Sequence, residues 1–211
     1  MTDHQDQVTT VASRRRAIVI AGHQGDATTA RVGLTDPSPE VRGSALGALE
    51  RLQQLYSAEL GAALTDSTPL VRRRAALVAA GRSDVSEALA LLLDDPDDVV
   101  VEVAAFAWGE RSEVPDAVLD RLMELATGHH DSLCREAAVA ALGSIGEQRS
   151  LPAVLAATED KATVRRRAVL ALAAFDDDEA TAALRARLDD RDLQVRQSAE
   201  ELLSIEEGES T

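Results

Sequence analysis

The chain has 211 residues, 45% hydrophobic but only 2% aromatic, and a formal charge of −15. That is long enough for one domain with a full core, a core that must be made of Ala, Leu and Val and so suits close helix packing. No apolar run approaches the roughly 20 residues of a membrane span, the polar start over residues 1–8 lacks the charged-then-apolar order of a secretory signal, and a single cysteine, Cys134, excludes an internal disulfide framework. A cytoplasmic, monomeric protein is expected, with residues 1–8 disordered. Residues 1–90 carry ten basic and ten acidic side chains and are neutral, whereas residues 91–211 carry twelve basic and twenty-seven acidic ones. This excess weighs against nucleic-acid binding, which normally shows a basic footprint.

The predicted elements follow one phrase that recurs about every thirty residues: an acidic turn, then Val-Arg, then small apolar residues at helical spacing. The chain opens on a helix carrying Ser13-Arg14-Arg15-Arg16-Ala17 and Ile20-Ala21. Six pairs follow, each a shorter helix A, a turn and a helix B. With the Val of Val-Arg as position zero, the B helices carry Val41, Val71, Val100, Cys134, Val164 and Val195. At plus four stand Ala45, Ala75, Ala104, Ala138, Ala168 and Ala199, and at plus seven and eight mainly Ala and Leu, with Trp108 in the third repeat. Offsets of zero, four, seven and eight share one helical stripe. The A helices end at Leu34, Leu64, Leu93, Ala157 and Leu188, and the fourth is the longer stretch 115–126. Ser38-Pro39 and Thr68-Pro69 place a capping hydroxyl before a proline at the first helical position, and Gly22, Gly81, Gly109 and Gly146 fall where B helices should stop. A helix pair of this length cannot bury its own apolar face, so the pairs must stack. The expected fold is all-α: a right-handed α-solenoid of six repeats plus a leading helix, forming one domain over residues 9–204, with an acidic tail over 205–211.

The carrying residues, Asp36-Pro37 with Val41-Arg42 and Ala45, and Ala141-Leu142-Gly143-Ser144-Ile145-Gly146 running into Leu151-Pro152-Ala153-Val154-Leu155, resemble the HEAT-repeat family, in particular its short PBS-lyase-type HEAT-like form. The similarity covers roughly residues 11–203. It implies a ladder of ion pairs between turn acids and helix-B arginines, which here would join Asp36, Asp66, Asp95 and Asp190 with Arg42, Arg72, Arg135, Arg165 and Arg196. The pattern lapses where Val101 takes the arginine position and His129 the acid position, with a spacing of thirty-four residues from Val101 to Arg135. Such lapses are enriched in function, although drift between repeats is the commoner cause.

Enzymes of this repeat type leave marks that are missing. Metal-dependent hydroxylases of the fold use His-Glu pairs, and none of the four histidines is followed by Glu. His129, His130, Asp131 and Cys134 offer metal-like ligands, but Cys134 holds a core position and a capping loop is favoured. The aromatic side chains that a HEAT-like glycosylase needs are scarce, with Trp108 in the core register, and no phosphate loop or nucleophile elbow appears. No catalytic residue, cofactor or metal is expected.

The exposed face of the B helices remains, and the resemblance makes it the concave surface. Plus two is Arg15, Arg73 and Arg166, plus three is Arg16, Arg74 and Arg167, and plus six is Val19, Leu77, Phe106 and Leu170. Apolar residues beside arginines suit a protein-binding groove, unless neighbouring helices bury plus six. The expected function is a non-enzymatic scaffold or adaptor that holds an acidic-hydrophobic partner segment on Arg15, Arg16, Arg73, Arg74, Leu77, Phe106, Arg166, Arg167 and Leu170. The alternatives are a lyase-like enzyme or chaperone using the third and fourth repeats, and a nucleic-acid binder using the arginine triplets.

Overall fold

The computed structural model describes residues 10–209; the stretch expected to be disordered, 1–8, lies outside them. Thirteen α-helices and no strand occur among the described residues: α1 (Val11–Gln24), α2 (Ala27–Val32), α3 (Pro39–Arg51), α4 (Ser57–Leu64), α5 (Pro69–Ala79), α6 (Ser86–Leu91), α7 (Asp98–Gly109), α8 (Asp116–Gly128), α9 (Ser132–Ile145), α10 (Leu151–Ala157), α11 (Ala162–Leu172), α12 (Asp178–Ala186) and α13 (Leu193–Glu209). The odd-numbered helices are the B helices and the even-numbered ones the A helices. Helix α13 runs past residue 205, where the acidic tail was expected to start. Packing divides the chain into two compact halves, with the boundary between Leu89 and Ala90. In the N-terminal half α1, α3 and α5 stack, with α2 and α4 against them; in the C-terminal half α7, α9, α11 and α13 stack, with α8, α10 and α12 against them. The charge divides at the same place, so the C-terminal half carries the whole net charge.

The helical stripe is the core. The six plus-four alanines from Ala45 to Ala199 are fully buried, and so are the position-zero residues from Val41 to Val195. In the leading helix α1, Ala17 and Ile20, expected on the same stripe, are exposed, and the buried residues are Ile18, Ala21 and Gly22. Trp108 is likewise enclosed. Leu202 and Leu203 are only half-buried on α13, the last described helix.

Three glycines at plus nine set the distance between B helices. A Cβ added to Gly143 would lie 2.6 Å from the Ala171 Cβ and 2.8 Å from its Cα, and Gly109 stands in the same relation to Ala141, as Gly22 does to Ala48. In each case a plus-nine glycine abuts the plus-seven alanine of the next B helix. This corrects the reading of Gly22 as a helix stop: it lies inside α1, which ends instead at Gly25 with φ 83°. Gly146, with φ 68°, does stop α9 as expected. Gly143→Ala is therefore expected to destabilise by about 1–3 kcal/mol, because the neighbouring backbone must move. Gly61→Ala, on α4 with open space around it, should gain about 0.5–1 kcal/mol from helix propensity. Urea midpoints of the two variants should move in opposite directions.

The caps also differ in detail. Ser38 and Thr68 occupy the N-cap positions with Pro39 and Pro69 behind them, but neither hydroxyl bonds the helix N-terminus. Ser38 Oγ donates to the Glu40 carboxylate, and Thr68 Oγ1 accepts from Arg42 Nη2 at 3.2 Å. The arginine ladder has thus recruited Thr68, and Glu40 has recruited Ser38.

Candidate functional site

The ladder is a chain of bidentate pairs running from one repeat to the next. Arg14 binds Asp36 at 2.7 Å, Arg42 binds Asp66 at 2.8 Å, Arg135 binds Asp160 at 2.5 Å and Arg165 binds Asp190 at 2.7 Å. The same guanidinium reaches back to its own turn: Arg42 Nη1 donates to the Asp36 carbonyl at 2.9 Å, and Arg165 Nη1 to the Asp160 carbonyl at 2.7 Å. Arg72 and Arg196 make the same contact with the carbonyls of Asp66 and Asp190. The aspartates meanwhile accept the backbone N–H two residues on, as Asp36 does from Ser38, Asp66 from Thr68 and Asp95 from Asp97. Each rung thus fixes a turn, a helix start and the next repeat together. The arginine hydrogen bonds hold the Asp36, Asp160 and Asp190 carboxyls below the usual range; at Asp66 burial pushes upward but Arg42 and Thr68 outweigh it. Sequence reasoning missed two members. Arg14 has no turn of its own before it, and Asp160 sits one residue before the helix cap where its counterparts sit two before.

The lapse in the middle has a local explanation. Val101 is buried in the place of an arginine. His129 keeps the backbone of a turn aspartate, φ −66° and ψ 138° against −63° and 141° at Asp95. Its Nδ1 accepts the Asp131 N–H at 3.1 Å, as an aspartate oxygen would. An imidazole without an arginine opposite it replaces a charged rung.

That geometry also bears on metal binding. His129 and His130 stack with centroids 4.6 Å apart, and their Nε2 atoms lie 3.9 and 3.0 Å from the Asp98 carboxylate. Asp98, brought in from α7, completes a trio of ligand-type residues that the sequence did not reveal. With Nδ1 of His129 accepting a hydrogen bond, neutral His129 keeps its proton on Nε2 and offers no lone pair toward Asp98. Only Asp98 and His130 remain, short of the four-coordinate set a structural zinc takes. Cys134 points inward, its Sγ donating to the Asp98 carbonyl at 3.1 Å. Burial, with the nearby charges of Asp131 and Asp98, pushes its thiol up to about 12, so it stays protonated at neutral pH.

On the outward face of the B helices, the plus-six side chains are not buried by neighbours: Val19, Leu77, Phe106 and Leu170 are each 39–50% exposed. In the N-terminal half a groove of about 490 Å³ runs across α3 between Arg15 and Val19 of α1 and Arg73, Arg74 and Leu77 of α5. It exists because α3 carries Gly43 at plus two and Gly47 at plus six, the positions that bear arginine and an aliphatic residue on either side. Those two glycines were the signal that sequence reasoning passed over. Arg15 Nε donates to Ser44 Oγ at 3.2 Å, while Arg73 and Arg74 form no hydrogen bond or ion pair among the described residues. Arg16 is exposed beside this groove without lining it. In the C-terminal half, a smaller recess of about 220 Å³ is lined by Arg166, Arg167 and Leu170, but there Arg167 reaches Glu136 and Arg166 reaches Gln194, both at 3.4 Å. Phe106 lines neither recess. Seven of the nine expected residues therefore separate into one groove with free guanidinium groups and one whose arginines are partly occupied, while Arg16 and Phe106 lie outside both.

Comparison with known proteins agrees with this architecture. The family model for HEAT repeats matches residues 85–164, and that for the PBS lyase HEAT-like repeat matches residues 164–190. HEAT-type repeats are thus present over residues 85–190, and the fold is an all-α solenoid of stacked helix pairs. Its fold is similar to that of Escherichia coli YibA, at TM-score 0.71 and 20% identity over 94% of this chain and 78% of that one. An engineered protein matches at TM-score 0.61 and 22% identity, covering 85% of this chain and 97% of its own. A designed armadillo repeat protein solved in complex with the peptide (KR)4 matches at TM-score 0.56 and 17% identity, covering 90% and 97%. No curated protein matches the sequence.

Proposed function

We propose that this protein is a non-enzymatic scaffold or adaptor of the cytoplasm that captures an acidic-hydrophobic segment of a partner protein on the exposed face of its B helices. The observation that carries this reading is the groove across α3, where unpaired Arg73 and Arg74 stand beside exposed Leu77 and Val19. Its mix of apolar surface and arginine is that of a protein interface. A solenoid of similar fold holds the basic peptide (KR)4; the charge of the present groove selects the opposite sign. Arg166, Arg167 and Leu170 form a second, weaker contact region in the C-terminal half, where Glu136 and Gln194 already engage the arginines, and exposed Phe106 on α7 lies outside that recess.

A labelled peptide of alternating Glu and Leu, followed by fluorescence anisotropy, tests the reading. Arg73→Glu with Arg74→Glu should weaken binding by about tenfold or more, on the order of 1.4 kcal/mol. Leu77→Ala should weaken it at high salt as well, because an apolar contact is not screened. Arg166→Glu should have the smaller effect. Retention of full affinity by the double variant and by Leu77→Ala would overturn the proposal.

A further inference from the structure

Resting on that scaffold reading, the geometry points to a carboxylate subsite within the N-terminal groove, in which Arg74 is held against α3 to grip an Asp or Glu side chain of the partner. A Cβ at Gly47 would overlap the Arg74 guanidinium, and one at Gly43 would touch the Arg74 stem at 3.8 Å and Leu70 at 3.5 Å. The arginine therefore lies along bare helix backbone. Packing of this kind limits the orientations of a planar, five-donor fork, which is how arginine achieves bidentate recognition of carboxylates. No protein acceptor satisfies that fork among the described residues. Glu40 is the one carboxylate lining the groove, and it takes the Ser38 hydroxyl. Arg73 offers a second free guanidinium one residue away, and Val19, Leu70 and Leu77 supply apolar wall between.

These features select an acidic peptide over nucleic acid. Four arginines, Arg15, Arg51, Arg73 and Arg74, line the groove against the single carboxylate of Glu40, but no aromatic side chain lines it for a base to stack on. The strongly acidic C-terminal half would add repulsion to a long polyanion. A short segment with carboxylates flanking an aliphatic residue matches both the charge and the walls.

The test uses the whole chain and three probes: the Glu-Leu peptide, its Gln-Leu counterpart, and a single-stranded oligonucleotide. Gly47→Ala changes no charge and displaces only the end of a side chain, so its melting temperature should equal or exceed that of the native protein. Its affinity for the Glu-Leu peptide should fall by about tenfold, with Gly61→Ala as the unaffected control, and native protein should prefer the Glu-Leu over the Gln-Leu peptide by a similar factor. Native affinity in Gly47→Ala, beside lost affinity in Arg73→Glu/Arg74→Glu, would sink the subsite and leave the scaffold reading standing. Equal binding of the Gln-Leu peptide, or tighter binding of the oligonucleotide, would likewise refute carboxylate recognition. If native protein binds neither peptide, both readings fall together.

Discussion

Ala138→Asp should lower the stability of the C-terminal half by about 3–5 kcal/mol, since it leaves a carboxylate buried without a partner. Ala138 is fully enclosed on α9, the helix stacked between α7 and α11. A methyl group fits there; a carboxylate would have to shed its water or push the helices apart. The introduced group should also favour its protonated form, so the deficit should shrink toward low pH. Ala140→Asp, two residues on and only half-buried, should cost much less. Circular dichroism melts of both variants check this, and an unchanged melt for Ala138→Asp would show that the core stripe has been placed on the wrong face.

Asp190→Ala should cost a comparable amount, about 3–5 kcal/mol, because it strands the buried Arg165 guanidinium. Both side chains of this pair are only 4% exposed, whereas Arg14 in the first rung is 32% exposed. Asp36→Ala should therefore be milder, as exposed ion pairs contribute little. The same rungs set the acid limit of the protein. Arg165 holds Asp190 below its ordinary value, so the folded state binds this proton less readily than the unfolded chain does. Its contribution is complete at neutral pH and is lost as pH falls below about 4, the ordinary aspartate value, and on through the lower folded value. Urea midpoints between pH 7 and pH 3 should fall less steeply for Asp190→Ala than for native protein. A parallel decline in the two would show that the pair is not linked to folding.

Much of this molecule was legible in the sequence because repetition averages out local ambiguity. Six copies of one register made the valine and alanine stripe unmistakable, and all of its plus-four alanines are buried. The arginine ladder was legible in kind through family resemblance, but its rungs were not fully placed. Asp160 escaped because a turn shorter by one residue moves the acid out of register. Ser38 and Thr68 looked like caps, yet their hydroxyls serve Glu40 and Arg42, since a nearby charged group outcompetes a helix N–H for a short side chain.

The sequence by itself determined the helices, their pairing, the core stripe and the chemistry of the exposed face, because each depends on spacing along one helix. Only the tertiary structure decided which glycine was a stop and which a contact: Gly22 and Gly146 look alike until Ala48 is seen against the first. It alone brought Asp98 to His129 and His130 across about thirty residues of chain. It also separated the arginines, leaving Arg73 and Arg74 free, the latter over Gly43 and Gly47, while Glu136 and Gln194 engage Arg167 and Arg166. The physical reason is common to all three. Whether a charge is satisfied, or a backbone closely approached, depends on atoms supplied by the neighbouring repeat, and a periodic sequence fixes the position of those atoms but not the side chain that occupies it.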